Sequence, residues 1–213
     1  MAVDEALLRT ARPGEPPWLR VYAWREPAAS FGLLQRAETV RQWTELRPLV
    51  RRPTGGGLVP HADDWTYSVV IPAGHPWHRL RAPESYRRLH RWLQVALARL
   101  GVPTELAPEP IADGPGRCFV GAEANDLLWQ GRKIAGAAQR RTRTGLLIQG
   151  SVQPPPPGVE RLDWERALQE SAAELWGVRW TPAAMEPQLR EAANRLLAAR
   201  YRRYGDLIGP LRP

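Results

Sequence analysis

The stretch LVRRPTGGGLVPHADDWTYSVVIP, residues 49–72, contains the pattern that decides the fold. It predicts a short strand, a glycine turn and a second strand over about residues 66–71. Gly55, Gly56 and Gly57 mark a point where the backbone must approach another group closely or adopt a positive φ. Most triple glycines are flexible turns, but successive backbone N–H groups also bind oxyanions. The spacing of a P-loop or of a dinucleotide-binding turn is absent, so neither of those nucleotide sites is predicted.

On either side of this stretch, the hydrophobic pattern predicts further strands and a few long helices. The predicted strands cover residues 18–24, 118–120, 126–129 and 145–152. The predicted helices cover residues 37–43, 83–100, 163–176 and 182–204, with Asp163 and Thr181 as the caps of the last two. The segment QGRK, residues 130–133, is expected to form a hairpin turn or the entry to a loop. This irregular alternation is typical of an α+β or mixed α/β domain.

Length and proline placement predict how the chain is organised. Its 213 residues suit a single domain, 1–213, with a substantial core. The prolines at residues 154–157 end the sheet pattern, because proline cannot donate to a strand ladder. Residues 158–213 are therefore expected to form a C-terminal helical extension of the same domain, with no separate accessory domain.

The net charge of +8 favours a partner that carries negative charge. The arginines are scattered along the chain and form no basic block, and most of the 10 tryptophans fall at inward-facing positions. A nucleic-acid partner would need aromatic and basic residues interleaved on one exposed face, so an acidic protein is the expected partner. A basic nucleic-acid-binding module remains a remoter alternative.

The cysteine count and the hydropathy pattern indicate the compartment. One cysteine excludes an internal disulfide, and the first residues lack the apolar core of a signal peptide. No window approaches the roughly 18 consecutive apolar residues of a membrane span. The sequence therefore predicts a cytoplasmic protein that does not associate with a membrane.

Lys133 is the only lysine among 30 basic Lys and Arg residues, and it lies in GRKIAGAAQRR, residues 131–141. An ammonium on a flexible stem suits a carbonyl or phosphate oxygen in a way that a planar guanidinium does not. The small residues that follow would let a ligand lie against the backbone. The alternative is an ordinary solvated lysine in a hairpin turn.

Cys118 and His61 are the other candidates, and each has a structural alternative. Cys118 is the only thiol, and its neighbour Arg117 would favour a nucleophilic thiolate. A lone cysteine is otherwise more often a small buried apolar residue. His61 follows the glycine turn and could face the same site, although a hydrogen-bonded structural histidine is more common. The histidines do not occur at ligand spacing, so no metal site is predicted.

Three blocks, RRPTGGGLVPHADDWTYSVV, NDLLWQGRKIAGAAQRR and LLIQGSV, together resemble the lipoate-protein ligase and octanoyltransferase family, relatives of the biotin protein ligases. With WREPAASFGLLQ they cover most of the first 152 residues in the family's order. The resemblance implies mixed, largely antiparallel sheets flanked by helices. It also implies that an octanoyl or lipoyl chain lies in a tunnel beside the glycine block.

The resemblance also implies roles for particular residues. Lys133 corresponds to the lysine that holds the carbonyl oxygen of the bound acyl group, and Gly136 and Ala138 line the path of the chain. Asn125 and Asp126 fall on a motif that lies near the nucleotide in the ligases. The residues that fall on the acyl-binding loop are Arg52, Thr54, Gly55, Gly56, Gly57 and His61.

Two reactions are compatible with this family. In one branch a cysteine, here Cys118, takes the octanoyl group from an acyl carrier protein and passes it to a lysine of a lipoyl domain, such as glycine cleavage H protein or an E2 subunit. That branch requires no cofactor. The other branch activates free lipoate with ATP and Mg²⁺, and the NDL motif at Asn125 favours it.

Gln149 stands where cysteine-type transferases tend to have a histidine, which weakens the transferase interpretation. The position of Cys118 nevertheless favours transfer through a thioester as the predicted reaction. A family member that binds an acylated protein without catalysis is a third possibility.

Overall fold

The computed structural model describes residues 1–110 and 121–201. Within these residues the α-helices are Ala2–Thr10 (α1), Ala37–Arg41 (α2), Ala82–Arg99 (α3), Arg161–Trp176 (α4) and Pro187–Leu196 (α5). The strands are Trp18–Tyr22 (β1), Ala28–Phe31 (β2), Leu49–Arg51 (β3), Val59–His61 (β4), Trp65–Pro72 (β5), Glu105–Leu106 (β6), Leu127–Trp129 (β7), Arg132–Arg141 (β8) and Gly145–Val152 (β9). A 3₁₀ helix, Pro76–Arg79, precedes α3, and a π-helical turn, Leu197–Tyr201, follows α5.

The strands form two sheets. The larger sheet has the order β1-β5-β9-β8-β7-β6, and every neighbouring pair in it is antiparallel. The smaller sheet has the order β3-β2-β4, in which β2 is parallel to β3 and antiparallel to β4. The prediction of an α+β fold with mixed, largely antiparallel sheets is therefore confirmed.

One face of the larger sheet carries the main apolar core. Side chains alternate between the two faces of a strand, so Trp65, Tyr67 and Val69 of β5 share this face. They pack against α3 and α4, and Trp92 and Trp164 from those helices are almost completely buried there. Burial of such large apolar side chains is the dominant favourable term in folding, at roughly 25 cal/mol per Å² removed from water.

The opposite face of the larger sheet carries smaller and more polar side chains. Gly136 and Ala138 of β8 lie beside Ser151 and Gln149 of β9 in the strand register. The glycine turn of residues 52–57 lies over this face, because Thr54 Oγ1 donates to Gln149 Oε1 at 2.9 Å. Further along the same face, α1 and α5 pack over Val70 and Leu147 in a second apolar cluster.

Strand β8 is the largest departure from the sequence prediction. Residues 132–141, interpreted as a loop entry followed by small residues, form a ten-residue strand. Glycine and alanine have low β-propensity, so the pattern does not reveal this strand, whereas β7 and β9 provide hydrogen-bonding partners on both of its edges. The turn before it is confirmed, with φ of 52° at Gln130 and 72° at Gly131, as a two-residue hairpin turn requires.

Helix α1 is absent from the sequence prediction, and its two acidic residues turn inward. Asp4 is fully buried and accepts hydrogen bonds from Arg20, Ser68 and Tyr22. The neighbouring Glu5 is 1% exposed and accepts hydrogen bonds from Arg200 and from the buried Tyr201. Partners from distant parts of the sequence, among them Ser68 and Tyr201, hold these acids inside the protein.

The predicted starts of the last two helices are wrong. Helix α4 begins at Arg161 after the N-cap residue Glu160, so Asp163 lies in the first turn and does not cap the helix. Helix α5 begins with a proline after Glu186, so Thr181 does not cap it. Prolines at 182 and 187 both suit the first turn of a helix, and the sequence does not decide between them.

Packing keeps the segment before α5 out of the helix. Trp180 stacks on Trp92 and donates from Nε1 to the Gln169 carbonyl at 3.0 Å. The predicted strand at residues 118–120 and the predicted helical residues 202–204 lie outside the described residues. Among the residues described, none of the helices has the length and apolar character needed to cross a membrane.

Candidate functional site

Lys133 lies at the start of β8 and forms an ion pair with the residue that precedes β7. Its Nζ is 2.6 Å from Asp126 Oδ2, and the two side chains are 9% and 5% exposed. The lysine side chain crosses directly over Gly136, where an added Cβ would lie 2.7 Å from Lys133 Cε and 2.9 Å from Nζ. A glycine at position 136 therefore leaves the space that the ammonium occupies. Lys133 is thus a nearly buried, paired cation and is not a solvated turn lysine.

The turn that carries Asp126 is held from three sides. Asn125 adopts a left-handed conformation with φ of 72°, which asparagine tolerates better than most residues. Its N–H donates to the Ala107 carbonyl at 2.8 Å, and the Glu123 N–H donates to Asp126 Oδ2 at 2.8 Å. On the third side, His90 Nδ1 donates to the Asn125 carbonyl at 2.5 Å. The carboxylate that faces Lys133 is therefore fixed in place.

His90 is a buried functional candidate that sequence reasoning missed. Burial lowers the pKa of His90, and the nearby carboxylate of Asp126 opposes that effect only in part. The bond to Asn125 puts the proton on Nδ1, so Nε2 is an acceptor, and it has no hydrogen-bond partner among residues 1–110 and 121–201. The available signal was its helical spacing with Leu93 and Leu97, which places it on the buried face of α3.

The glycine loop, residues 52–57, is organised by the guanidinium of Arg52. Its Nη2 donates to the carbonyls of Gly55 and Gly57 at 2.9 and 2.8 Å, and its Nη1 donates to Ser30 Oγ at 2.9 Å. Gly56 adopts a φ of 85°, as the triple glycine predicted. An added Cβ at Gly32 would lie 1.9 Å from the Gly56 carbonyl oxygen, so two backbones touch here.

Thr54 connects this loop to the larger sheet and to helix α1. Its hydroxyl donates to the amide oxygen of Gln149, whose amide nitrogen donates to Asp4 Oδ2 at 2.7 Å. A glutamine amide offers one acceptor and one donor group, which matches a hydroxyl on one side and a carboxylate on the other. Gln149, the residue that departs from the transferase pattern, is therefore a buried bridge between the loop and α1.

Both ring nitrogens of His61 have protein partners. Nε2 is 2.7 Å from Ser30 Oγ, and Nδ1 is 2.9 Å from Asp64 Oδ2. The ring stacks on Trp24 with 4.3 Å between centroids. Burial lowers the pKa of His61, and the carboxylate of Asp64 opposes that effect in part. The imidazole is therefore a hydrogen-bonded, neutral group near neutral pH.

The strand register brings the predicted site residues together. Gly136 pairs with Ser151, whose hydroxyl donates to Asp64 Oδ2 at 2.6 Å, and Ala138 pairs with Gln149, which contacts Thr54. The lysine side and the glycine-loop side thus meet across β8 and β9. Cys118, the predicted nucleophile, lies outside the described residues. In the described part of the chain, no cluster of three His, Asp or Glu side chains suits a metal ion.

Comparison with known proteins gives octanoyltransferases as relatives. Octanoyltransferase LipM of Kyrpidia tusciae is 31% identical over 93% of this chain and 90% of the relative's length. Octanoyltransferase LipM of Symbiobacterium thermophilum is 41% identical over 71% of this chain, and this chain spans only 59% of that relative's length.

Solved structures with the same fold include lipoate ligases. Protein Ta0514 of T. acidophilum with bound lipoic acid matches with a TM-score of 0.78 and 21% identity, over 94% of this chain and 89% of that one. A lipoate-protein ligase A bound with ATP matches with a TM-score of 0.77 at the same identity and coverage. The family model for the lipoyl protein ligase A/B catalytic domain matches residues 1–153. This chain belongs to the family of lipoyl protein ligase A/B catalytic domains, as the resemblance of its sequence blocks indicated.

Proposed function

We propose that this chain is an octanoyltransferase of protein lipoylation, which moves an octanoyl group to a lysine of a lipoyl domain. The observation that carries the proposal is the Lys133 ammonium, held by Asp126 above Gly136 at the edge of a strand face with small side chains. The relatives with 31% and 41% identity, both octanoyltransferases, support this reaction over others in the family.

Lys133 would stabilise the acyl group in the transition state. Its flexible stem and the absence of a side chain at Gly136 allow the ammonium to turn from Asp126 toward the acyl carbonyl oxygen. Negative charge develops on that oxygen as a nucleophile adds to the carbonyl carbon, and a nearby cation lowers the energy of that state. Asp126 keeps the ammonium in position between turnovers.

The reaction proceeds in two steps through Cys118, whose own position lies outside the described residues. The Cys118 thiolate attacks the octanoyl thioester of an acyl carrier protein, a new thioester forms, and the carrier sulfur leaves as a thiolate that takes a proton from the solvent. The amine of the target lysine then attacks the Cys118 thioester. The amide bond forms, the amine loses a proton, and the Cys118 thiolate is released. No cofactor is needed for these steps.

The proposed partners are an acidic acyl carrier protein and an acidic lipoyl domain, of glycine cleavage H protein or of an E2 subunit. The net charge of +8 supports this pairing, because complementary charge accelerates encounter. Among the structures with the same fold is a bi-partite lipoate protein ligase with its E2 lipoyl domain. The transfer rate at low substrate concentration is expected to fall as salt is added.

Intact-mass spectrometry after incubation with octanoyl acyl carrier protein tests the proposal. The wild type is expected to gain one octanoyl group that hydroxylamine removes, and Cys118→Ser is expected to gain none that hydroxylamine removes. Transfer to a lipoyl domain is then measured on the same samples. No adduct and no transfer by the wild type would contradict the proposal.

A lipoate-protein ligase is the second candidate, and the Asn125 turn favours it. This turn carries the NDL motif and places Asp126 beside Lys133, in the part of the site that is associated with the nucleotide in ligases. The ligase would require ATP and Mg²⁺. A parallel sample with octanoate, ATP and Mg²⁺ distinguishes the two candidates, because only a ligase would form octanoyl-AMP.

A further inference from the structure

Four buried polar side chains form a continuous hydrogen-bonded chain that ends on the glycine loop. Asp64 Oδ2 is 2.9 Å from His61 Nδ1, and His61 Nε2 is 2.7 Å from Ser30 Oγ. Ser30 Oγ in turn accepts from Arg52 Nη1 at 2.9 Å. Each of the four side chains is 5% exposed or less. We call this set the Asp64–Arg52 chain.

The chemistry of the four groups determines the direction of every hydrogen bond. Arginine has donors only, so Ser30 Oγ must accept from it and has its own proton available for His61 Nε2. A neutral imidazole that accepts at Nε2 carries its proton at Nδ1, and that proton points at the carboxylate of Asp64. While His61 is neutral, reversal of its bond to Ser30 would place an unprotonated Nδ1 against the carboxylate of Asp64.

The Asp64 end is anchored to the larger sheet. Its Oδ2 also accepts from Thr66 Oγ1 at 2.7 Å and from Ser151 Oγ at 2.6 Å. Trp24 donates from Nε1 to Thr66 Oγ1 at 2.9 Å while its ring covers His61. The carboxylate is therefore held by two strands, β5 and β9, and Ser151 pairs with the Gly136 over which Lys133 lies.

The Arg52 end determines the shape of the loop. Its guanidinium draws the carbonyls of Gly55 and Gly57 inward. Because C=O and N–H point in opposite directions in a trans peptide unit, the N–H groups of Gly56 and Leu58 are directed away from Arg52. Removal of Ser30 would leave the guanidinium with one fewer fixed acceptor and allow these peptide units to turn.

We infer that Ser30, His61 and Asp64 are positioning residues that hold Arg52, and through it the glycine loop, in the shape that binds the acyl chain. The inference rests on the proposed function for the identity of the acyl group. His61 acts through Ser30 and Arg52, because both of its nitrogens are engaged by protein. The serine, histidine and aspartate have the distances of a hydrolase triad, but the Ser30 hydroxyl is fully buried and accepts from Arg52, so it is not a nucleophile.

The Asp64–Arg52 chain gives the loop a pH dependence of known sign. The charged groups that act on His61 are Asp64, Arg52 and the amino group of Met1, and burial lowers the pKa of His61 below its ordinary value of 6.5. Protonation would make Nε2 a donor that faces the Ser30 hydroxyl beside a guanidinium. Acyl binding is therefore complete when His61 is neutral and is lost as the pH falls through its lowered pKa.

Binding of octanamide, a neutral acyl probe that does not titrate, tests the inference by calorimetry. Ser30→Ala is expected to raise the octanamide Kd and the KM for octanoyl carrier protein about tenfold, with kcat within about twofold, since one hydrogen bond to a charged group is lost. The matched control is Ser171→Ala, because Ser171 is equally buried but donates within α4, and it is expected to change neither constant. Wild-type Kd and KM in Ser30→Ala, or a fall in kcat alone, would overturn the inference.

Asp64→Asn provides a second test, which measures the pH dependence of octanamide binding and not only its affinity. Removal of the carboxylate that raises the pKa of His61 is expected to move the acid loss of octanamide binding to lower pH. An unchanged pH profile would overturn the inference. If a variant does not fold, ¹⁵N NMR of the wild type decides, since the chain requires a protonated Nδ1 and a bare Nε2 on His61. The opposite tautomer would overturn it.

The outcome for the proposed function is read separately. A wild type that binds octanamide but does not transfer octanoyl groups, with weaker binding by Ser30→Ala, would support the positioning role while it contradicts the transferase. A wild type that transfers octanoyl groups, with no effect of Ser30→Ala on Kd or KM, would support the transferase and contradict the positioning role.

Discussion

The two sides of the site hold their cations in different ways. On the glycine-loop side, Arg52 is fixed by the uncharged oxygens of Ser30, Gly55 and Gly57. On the lysine side, Lys133 is paired with the carboxylate of Asp126 at 2.6 Å. A guanidinium is a planar fork that keeps several acceptors in one geometry, whereas an ammonium on a flexible stem can change its partner. Under the proposed function, the chain has arginine where a shape must persist and its single lysine where a contact must change.

The glycines of the two sides differ in a related way. On the loop side, Gly32 meets the backbone oxygen of Gly56, which cannot move without disturbing the loop. On the lysine side, Gly136 meets the end of the Lys133 side chain, which can move. Gly55, the first residue of the triple glycine, has no atom within 4 Å of an added Cβ. The isolated glycines are thus more constrained than the first residue of the triple glycine.

The largest expected effect is that of Lys133→Arg on transfer. The guanidinium cannot occupy the space over Gly136 in the same way, so the developing oxyanion loses its partner, and the rate is expected to fall at least about 100-fold. Arg132→Lys, the reverse exchange at the exposed neighbouring position, is the control and should retain the wild-type rate. A Lys133→Arg enzyme with a transfer rate within about threefold of wild type would contradict the proposal that the two cations have different roles.

Gly32→Ala is expected to be the most destabilising of the glycine changes. Its Cβ would lie 1.9 Å from the Gly56 carbonyl oxygen, so the backbones must separate, at a cost of about 3 kcal/mol in the free energy of unfolding. Urea unfolding measures this loss. Gly55→Ala is the matched control and should cost less than about 1 kcal/mol. Equal losses of unfolding free energy in the two variants would show that contact with the neighbouring backbone does not decide whether a side chain is tolerated at these positions.

Gly136→Ala is expected to separate activity from stability. The new methyl group would displace Lys133 Cε and Nζ, which lie 2.7 and 2.9 Å from the Cβ position, while the backbone stays in place. The transfer rate should fall about tenfold with less than about 1 kcal/mol lost from the free energy of unfolding. Steady-state kinetics and urea unfolding of the same sample check both values. A large loss of stability with normal kcat would contradict a specific role for this glycine.

Acid is expected to weaken the fold gradually. The pKa values of His61, His90, Asp4 and Asp64 are all lowered in the folded protein, the histidines chiefly by burial and the carboxylates by their partners against an opposing effect of burial. The unfolded chain then binds more protons, so stability is complete above the unfolded values and is lost as the pH falls through the folded ones. For the histidines the loss starts below about pH 6.5, and for the aspartates below about pH 3.8.

Urea midpoints at a series of pH values test this dependence. The midpoint should decline slowly from about pH 6.5 downward and steeply near the carboxylate range. A midpoint that stays constant down to about pH 4 would contradict neutral, buried histidines on both sides of the site.

Much of the fold could be predicted because the signals are local. The helix over residues 82–99 and the strand over residues 145–152 follow from hydrophobic spacing within each segment. Strand β8 could not be predicted, because glycine and alanine give no strand signal and only the neighbouring strands stabilise the extended conformation. The burial of Asp4 and Glu5 in α1 could not be predicted, because their partners lie elsewhere in the sequence.

The candidate site shows the same division. Lys133 and the glycine loop are visible as residue types that are unusual in this composition or required at turns. His90 and Ser30 have no such signal. Gln149 was interpreted only as a departure from a family pattern, whereas its amide joins Thr54 to Asp4.

The sequence by itself determined which residues carry unusual chemistry: one lysine, one thiol and three successive glycines, set in a chain of strands and amphipathic helices. Only the tertiary structure decided how they are held. The Asp64–Arg52 chain joins side chains from β2, from the glycine loop, from β4 and from the turn before β5, and Ser151 of β9 completes it. Strand register and burial bring these partners together from distant parts of the sequence, so local spacing does not predict them.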